Sequence, residues 1–309
     1  MTARGRTNVS GRNGNTTEIL HVSFSLENPR QRWVTTRTPI ISPAFSFAEL
    51  ITIMKGCDDA NVINAWNSAL PRYQGDYKQY PGAYGTRLRK KFGFDQLQRA
   101  YEALLWNPFS RQVVLEIWKP DIDLPVCKGQ PNNDDIPCNL CSMLKIRDDK
   151  LYWTQVMRSN DMFLGLPYNL LQFTSLQEIM AGWLNLELGD YMHISDSMHI
   201  YNGNTMTLSE QIGKQNEDNL CLEKQLSDEV FTELYCKLVE LGERERVTDL
   251  VKNYLQANQL PVQYNNILMI LCIYMIHKKD KNDEIMECCF QNCQNELYNV
   301  MMRKWIDPR

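Results

Sequence analysis

Apolar residues recur at helical spacing through Phe47, Leu50, Ile51 and Met54 in FSFAELITIMK (45–55), which predicts a helix with one acid, Glu49, on or beside its apolar face. Residues 71–87, PRYQGDYKQYPGAYGTR, carry proline, glycine and tyrosine in loop proportions, and a second helix is expected over 96–105. RQVVLEIW (111–118) and SMLKIR (142–147) read as β segments, with 151–157 returning after the turn-like Asp148-Asp149-Lys150, so Cys138 stands where a hairpin begins. A helix is predicted over 174–186 and a further strand within 189–201. Beyond Asn204 the pattern is almost wholly helical: Val230, Leu234, Leu238 and Leu241 line one face, Val247, Leu250, Val251, Tyr254 and Leu255 another, and Pro261 separates the next helix. These patterns suggest a flexible, polar tail over 1–18, a mixed α/β body over 19–205 and a helical region over 206–309.

Length and composition narrow the class. In 309 residues, 43% hydrophobic, the chain holds enough apolar material for a substantial core, and its formal charge of −4 offers no global positive field for nucleic acid or an anionic membrane. The apolar run 267–276 is about half the roughly 20 residues needed to cross a bilayer. Ten scattered cysteines, behind an N-terminus without the apolar core of a secretory signal, point to free thiols in a reducing cytoplasm.

Several strings could carry chemistry, and each also has a plain structural explanation. Cys138-Asn139-Leu140-Cys141 has the spacing of a redox pair or half a zinc site. Zinc would need two more ligands, yet Cys288, Cys289 and Cys293 stand far away on a packed helix and the four histidines form no paired motif, so no metal is expected. Cys138 taken alone is a small buried apolar residue. Pro137 before it, and a cation such as Arg158 nearby, make it a candidate nucleophile. Arg158-Ser159-Asn160-Asp161 sets a guanidinium beside a hydroxyl, which suits a phosphate monoester, although such strings are often solvated loops. Asn169 either reads an amide-like edge or caps a helix. His199 and Tyr201 alternate on a strand and share a face, as an ordinary half-buried pair would.

Taken in order, Pro-Cys (137–138), Arg-Ser-x-Asp (158–161), Gly-x-Pro-x-Asn (165–169), Gly-Asp (189–190) and His-x-Tyr (199–201) resemble thymidylate synthase, with spacing that agrees without a gap from Cys138 to Tyr201. Upstream, FAELITIMKG, GAYGTRLR and NPFSRQVV are similar to the family's glutamate helix, Tyr-Gly segment and phosphate-arginine segment, so the resemblance covers residues 40 to 205. It implies an α/β (α+β) fold, a mixed sheet with packed helices, here joined to a divergent helical C-terminal region. It also implies that Cys138 adds to C6 of a pyrimidine nucleoside monophosphate, with Glu49, Tyr84 and Asn139 completing the catalytic group. Arg158 and Ser159 would hold the 5′-phosphate, together with Arg111 from the second subunit of a homodimer. Asn169 would read the base, His199 and Tyr201 the sugar hydroxyl, and Asp161 and Trp66 the folate, with 5,10-methylenetetrahydrofolate as co-substrate.

Departures from the family pattern bear on the substrate. Asn139 stands where histidine is common, Arg111-Gln112 replaces a pair of arginines, and Asn160 resembles the nucleotide hydroxymethylases of the same superfamily. Asn169 favours uracil, because its amide can donate to O4 and accept from N3–H, whereas cytosine reverses both needs. The expected reaction is methylation of dUMP, ahead of 5-hydroxymethylation of dUMP, UMP or a cytosine nucleotide. A silent nucleotide-binding regulatory protein is the alternative of another class.

Overall fold

The computed structural model describes residues 7–11, 14–126, 129, 131, 133–203, 207–208, 211–257 and 259–308. Residues 1–6 and 12–13 of the expected tail, and 204–206 and 209–210 at the expected boundary of the helical region, lie outside that set. A six-stranded sheet in the order β1-β2-β7-β6-β5-β4 is built from β1 (Thr7–Gly11), β2 (Gly14–Leu26), β4 (Val114–Glu116), β5 (Asn139–Arg147), β6 (Lys150–Asp161) and β7 (Glu187–Tyr201). A ribbon of β3 (Arg37–Thr38) and β8 (Thr207–Leu208) stands apart from it.

The β5–β6 hairpin turns at Asp148 and Asp149, whose φ values of 50° and 55° are the two left-handed positions that a tight two-residue loop requires. β6 and β7 run parallel, so their connection needs a crossover, and α7 (Leu166–Leu184) provides it. This helix begins eight residues before the predicted 174, because Pro167 sits in the first turn, where its missing N–H costs nothing. Residues 7–11 and 14–18, expected in a loose tail, are instead strand: 7–11 pair antiparallel with the start of β2, and β2 pairs in turn along β7, from Thr16 opposite Tyr201 to Leu26 opposite Tyr191. Alternation along the strands buries Leu144, Ile146, Leu151, Trp153 and Tyr191 on one face of the sheet. The other face carries the part-exposed Met143, Tyr152, Val156, Met192 and Ile194.

α1 (Pro43–Lys55) starts at Ser42, whose Oγ accepts from the Phe45 N–H at 3.2 Å, and stops at Gly56, where φ is +60°. Three short helices follow, α2 (Ala60–Asn64), α3 (Pro71–Gln74) and α4 (Tyr84–Arg89), then α5 (Gln96–Trp106) and α6 (Pro120–Asp123). Arg87 fixes α4 through a fully buried fork onto Asp123, at 2.7 and 2.8 Å.

The C-terminal part is helical, as the periodicity indicates: α8 (Lys224–Glu243), α9 (Thr248–Ala257), α10 (Val262–Met275), α11 (Asp283–Asn292) and α12 (Glu296–Ile306). It shares one apolar cluster with the sheet body. Phe47 of α1 meets Trp33 and Tyr298 of α12 edge-on at 5.4 and 5.1 Å, and Phe231, Tyr264 and Ile267 belong to the same core. The apolar run 267–276 lies buried within it, and no helix among the described residues is long and apolar enough to cross a membrane.

Gly85 sets how closely α4 approaches α1. A Cβ there would lie 2.7 Å from the Thr52 carbonyl oxygen and 2.8 Å from Ile53 Cα, both backbone atoms of a buried helix. Gly85→Ala gains about 1 kcal/mol of helix propensity but forces α4 outward at a cost of roughly 1–3 kcal/mol. A net loss of stability is expected in urea denaturation, together with loss of the Tyr84 placement described below.

Candidate active site

Six segments converge on a cleft of about 560 Å³. α1 contributes Glu49, the start of α4 Tyr84, the residue ahead of β5 Cys138, and the end of β6 Ser159, Asn160 and Asp161; the first turns of α7 add Asn169 and Gln172, and the end of β7 His199 and Tyr201. Arg37, from the separate ribbon, closes one side. The volume falls within the roughly 300–1,000 Å³ typical of small-molecule sites.

Cys138 is half-buried and stands at the mouth of the hairpin, with its carbonyl oxygen accepting the Arg158 N–H at 2.9 Å. The Arg158 guanidinium does not line the cleft; it folds under this loop instead. Nε donates to the Pro137 carbonyl at 2.8 Å and Nη2 to the Ile136 carbonyl at 3.1 Å, which leaves Nη2 3.9 Å from the Cys138 sulfur. A guanidinium held by two carbonyls presents a fixed positive charge to the sulfur.

Opposite stands Glu49. Burial pushes its carboxyl up to about 8, against the opposing influence of the Gln172 side chain, and its Oε2 is buried without a hydrogen-bond partner. Tyr84 packs against Phe173 at 5.9 Å and stays protonated well above the usual phenol range, first through burial and then through the negative charges of Cys138, Glu49 and Asp135. A thiol, a carboxyl that exchanges its proton near neutrality and a phenol donor therefore line one cleft.

The other end of the cleft is polar. Ser159 Oγ lies 3.4 Å from His199 Nδ1, and the His199 ring meets Tyr201 edge-on at 5.6 Å. Asp161 Oδ1 accepts the N–H groups of Phe163 and Leu164 at 2.7 and 2.6 Å, while its Oδ2 is buried without a hydrogen-bond partner. Arg37 lies over the Phe163 ring at 4.3 Å, with Nε and Nη1 buried and without hydrogen-bond partners. Asn160 donates through Nδ2 to His193 Nε2 at 3.0 Å, so the His193 proton sits on Nδ1, 3.0 Å from the Tyr191 hydroxyl. Burial lowers His193 to about 4 and keeps it neutral.

Of the residues singled out in the sequence, Glu49, Tyr84, Cys138, Ser159, Asp161, Asn169, His199 and Tyr201 meet in this cleft, and Arg158 lies directly behind it. Three others do not. Asn139 is fully buried on the opposite side of the strand, where its Oδ1 accepts from Gln155 Nε2, because alternation along β5 turns neighbours of Cys138 into the core. Trp66 is buried against Tyr274 at 5.5 Å and lines an adjoining cavity of about 410 Å³ with Tyr168, Lys304 and Trp305. Arg111 is exposed ahead of the edge strand β4, outside the cleft. Arg37 and Gln172 were not expected. VTTRTP and NLLQ carry no local signal, although the i, i+3 spacing of Gln172 from Asn169 puts both on one helix face. Among the described residues, no cluster of three or more His, Cys, Asp or Glu side chains could hold a metal ion.

Comparison with known proteins gives this geometry a lineage. The chain is 34% identical over 197 residues to a deoxyuridylate hydroxymethyltransferase of Bacillus phage SP01, covering 60% of this chain and 50% of that one. It is 31% identical over 120 residues to a thymidylate synthase of Listeria monocytogenes, covering 39% and 36%. The chain thus spans about half the length of the phage relatives it matches. The thymidylate synthase of T4 phage superposes with a TM-score of 0.53 at 23% identity, over 63% of this chain and 72% of that one, a likeness of fold. The Thymidylate synthase family model matches residues 2–245, which extends the resemblance seen over 40–205 in both directions and into α8. This chain belongs to the thymidylate synthase family.

Proposed function

We propose that the protein transfers a one-carbon unit from 5,10-methylenetetrahydrofolate to C5 of a uracil nucleotide, dUMP. The observation that carries this reading is the convergence of a thiol beside a fixed guanidinium, a carboxyl titrating at about 8 and a carboxamide in one cleft. C5 of uracil is a poor nucleophile, and addition of the Cys138 thiolate at C6 makes it electron-rich. Arg158 supplies the positive charge that a thiolate requires. Charge gathers on O4 during addition, where the Asn169 amide offers a donor already in place. Glu49 holds and releases a proton beside the base, a task suited to a group poised near the working pH. Bound folate supplies the carbon and, in methylation, the hydride; the buried, partnerless Oδ2 of Asp161 is an acceptor available to its pterin ring.

Ser159, His199, Tyr201 and Arg37 form the pole that suits the sugar and 5′-phosphate. Arg111 lies outside its own cleft and stands beside the edge of a sheet whose outer face carries Met143, Tyr152, Val156, Met192 and Ile194. A homodimer through that face, with Arg111 serving the neighbouring cleft, belongs to the same proposal. So does a reducing, cytoplasmic setting that keeps Cys138 a reduced thiol outside any disulfide. The division into a catalytic body over 19–205 and a helical region over 206–309 also remains a proposal, since both contribute to one core. Methylation is the reading favoured by the synthases among the relatives, and hydroxymethylation the one favoured by the phage relatives. The exocyclic methylene intermediate takes hydride in one case and water in the other.

Incubation with dUMP and methylenetetrahydrofolate, followed by weighing the product, separates the two by one oxygen atom. With 5-fluoro-dUMP and the folate, a denaturation-stable adduct is expected in the parent and none in Cys138→Ala; an adduct that survives in the variant would sink the mechanism, and none in the parent would favour a silent binding protein. Glu49 also leaves a thermodynamic mark. Its folded pKa of about 8 lies above the ordinary value of 4.5, so between these pH values the folded state binds a proton that the unfolded state has lost. Stability should therefore fall as pH rises through that window, by at most ~1.4 kcal/mol per pH unit. Urea titrations across the window should show a shallower fall in Glu49→Gln.

A further inference from the structure

Gln172 stands between the base-facing amide and the proton-carrying acid. It lies on α7 one turn after Asn169, is 3% exposed and lines the cleft. Asn169 Nδ2 donates to Gln172 Oε1 at 3.3 Å, which leaves Nε2 of the planar amide for the Glu49 side. The residue beside the nucleophile does not do this work, because Asn139 points into the core and bonds Gln155.

We propose that Gln172 is a positioning residue that couples the proton on Glu49 to the orientation of the Asn169 amide, and thereby sets the preference for uracil over cytosine. The inference rests on reading the cleft as a pyrimidine-nucleotide transferase. An ionised Glu49 only accepts hydrogen bonds, so it draws Nε2 of Gln172 toward itself and turns Oε1 toward Asn169. That oxygen takes one N–H of Asn169. The second N–H and Oδ1 are left for the base, a donor and an acceptor matching O4 and N3–H of uracil; cytosine, with an amino group and a bare N3, needs the reverse. Without Gln172 the Asn169 amide can turn over at little cost and present the opposite pattern. A protonated Glu49 no longer demands a donor, which releases the same constraint.

Other groups face Glu49. Tyr84 of α4 and Tyr168 of α7 both keep their protons, since burial raises each phenol. Across the cleft stand Cys138 with Arg158 behind it, Asp135, Asp161 and, from the ribbon, Arg37. Among these, Gln172 is the side chain that touches Asn169 and also favours the charged form of Glu49.

The test compares the full-length parent with Gln172→Met, which keeps length and apolar bulk, and Gln172→Glu, which keeps an acceptor for Asn169 but places a like charge beside Glu49. One-carbon transfer to dUMP and to dCMP is followed by product mass between about pH 6 and 10, and binding of each nucleotide by thermal shift. In Gln172→Met the preference for dUMP should fall at least about tenfold, while the inflection due to Glu49 moves up by about one pH unit, because a contact that favoured the carboxylate is gone. Gln172→Glu should keep the preference and raise the inflection further. A Gln172→Met enzyme with parental preference and parental pH profile, or one merely slower at every pH, would overturn the inference while leaving the transferase reading intact. If Gln172→Met does not fold, an unchanged inflection in Gln172→Glu overturns it. A parent that forms no 5-fluoro-dUMP adduct and transfers to neither nucleotide sinks both readings together.

Discussion

Glu49 projects from a helix that the chain wraps on nearly every side, so its carboxyl is solvated by little beyond what the cleft provides. Every other residue of α1 from Pro43 to Met54 is buried. An ionised carboxylate cannot be held in such a wall without a partner, and the group answers by keeping its proton to about pH 8. The character of the cleft follows from this constraint. Tyr84 stays a phenol partly because Glu49 and Cys138 lie near it, and Gln172 is the neutral donor that can favour the charged form without neutralising it.

The C-terminal helices share in this wrapping with α2, α4 and α7. α8, α10 and α12 pack against α1, and the family match ends at residue 245, so α10 and α12 cover the glutamate helix with structure beyond the shared frame. On the far side, Glu178 of α7 is fully buried between Arg30 and Arg32, with Ser175 2.6 Å from the latter. Breaking such a cluster at one member costs more than a surface pair would, because an uncompensated charge stays inside. It ties the chain before the ribbon of Arg37 to the helix that carries Asn169 and Gln172. α12 lines the cavity beside the cleft through Lys304 and Trp305, and among the described residues none of its side chains lines the cleft itself.

The two arginines near the nucleophile divide their work in a way that motif order does not reveal. Arg158 uses Nε and Nη2 on the carbonyls of Pro137 and Ile136, and its Nη2 lies 3.9 Å from the Cys138 sulfur. Arg37 lines the cleft and has two buried nitrogens, Nε and Nη1, without hydrogen-bond partners.

Much of the local structure was legible from the chain alone. Apolar spacing marked α1 and the C-terminal helices, alternation marked the β5–β6 hairpin, and the ordered strings from Pro137 to Tyr201 marked the site, because helical and strand periodicities are properties of neighbouring residues. The β1–β2 hairpin was missed, since its polar residues are held as strand by pairing with each other and, through β2, with β7, which lies more than 160 positions away. Trp66 and Asn139 resembled members of the site in the sequence yet lie outside the cleft, because sequence order says nothing about which face of an element turns inward. Arg37 and Gln172 were invisible for the converse reason: no motif surrounds them, and only the tertiary packing of the ribbon and of α7 brings both to the lining of one cleft.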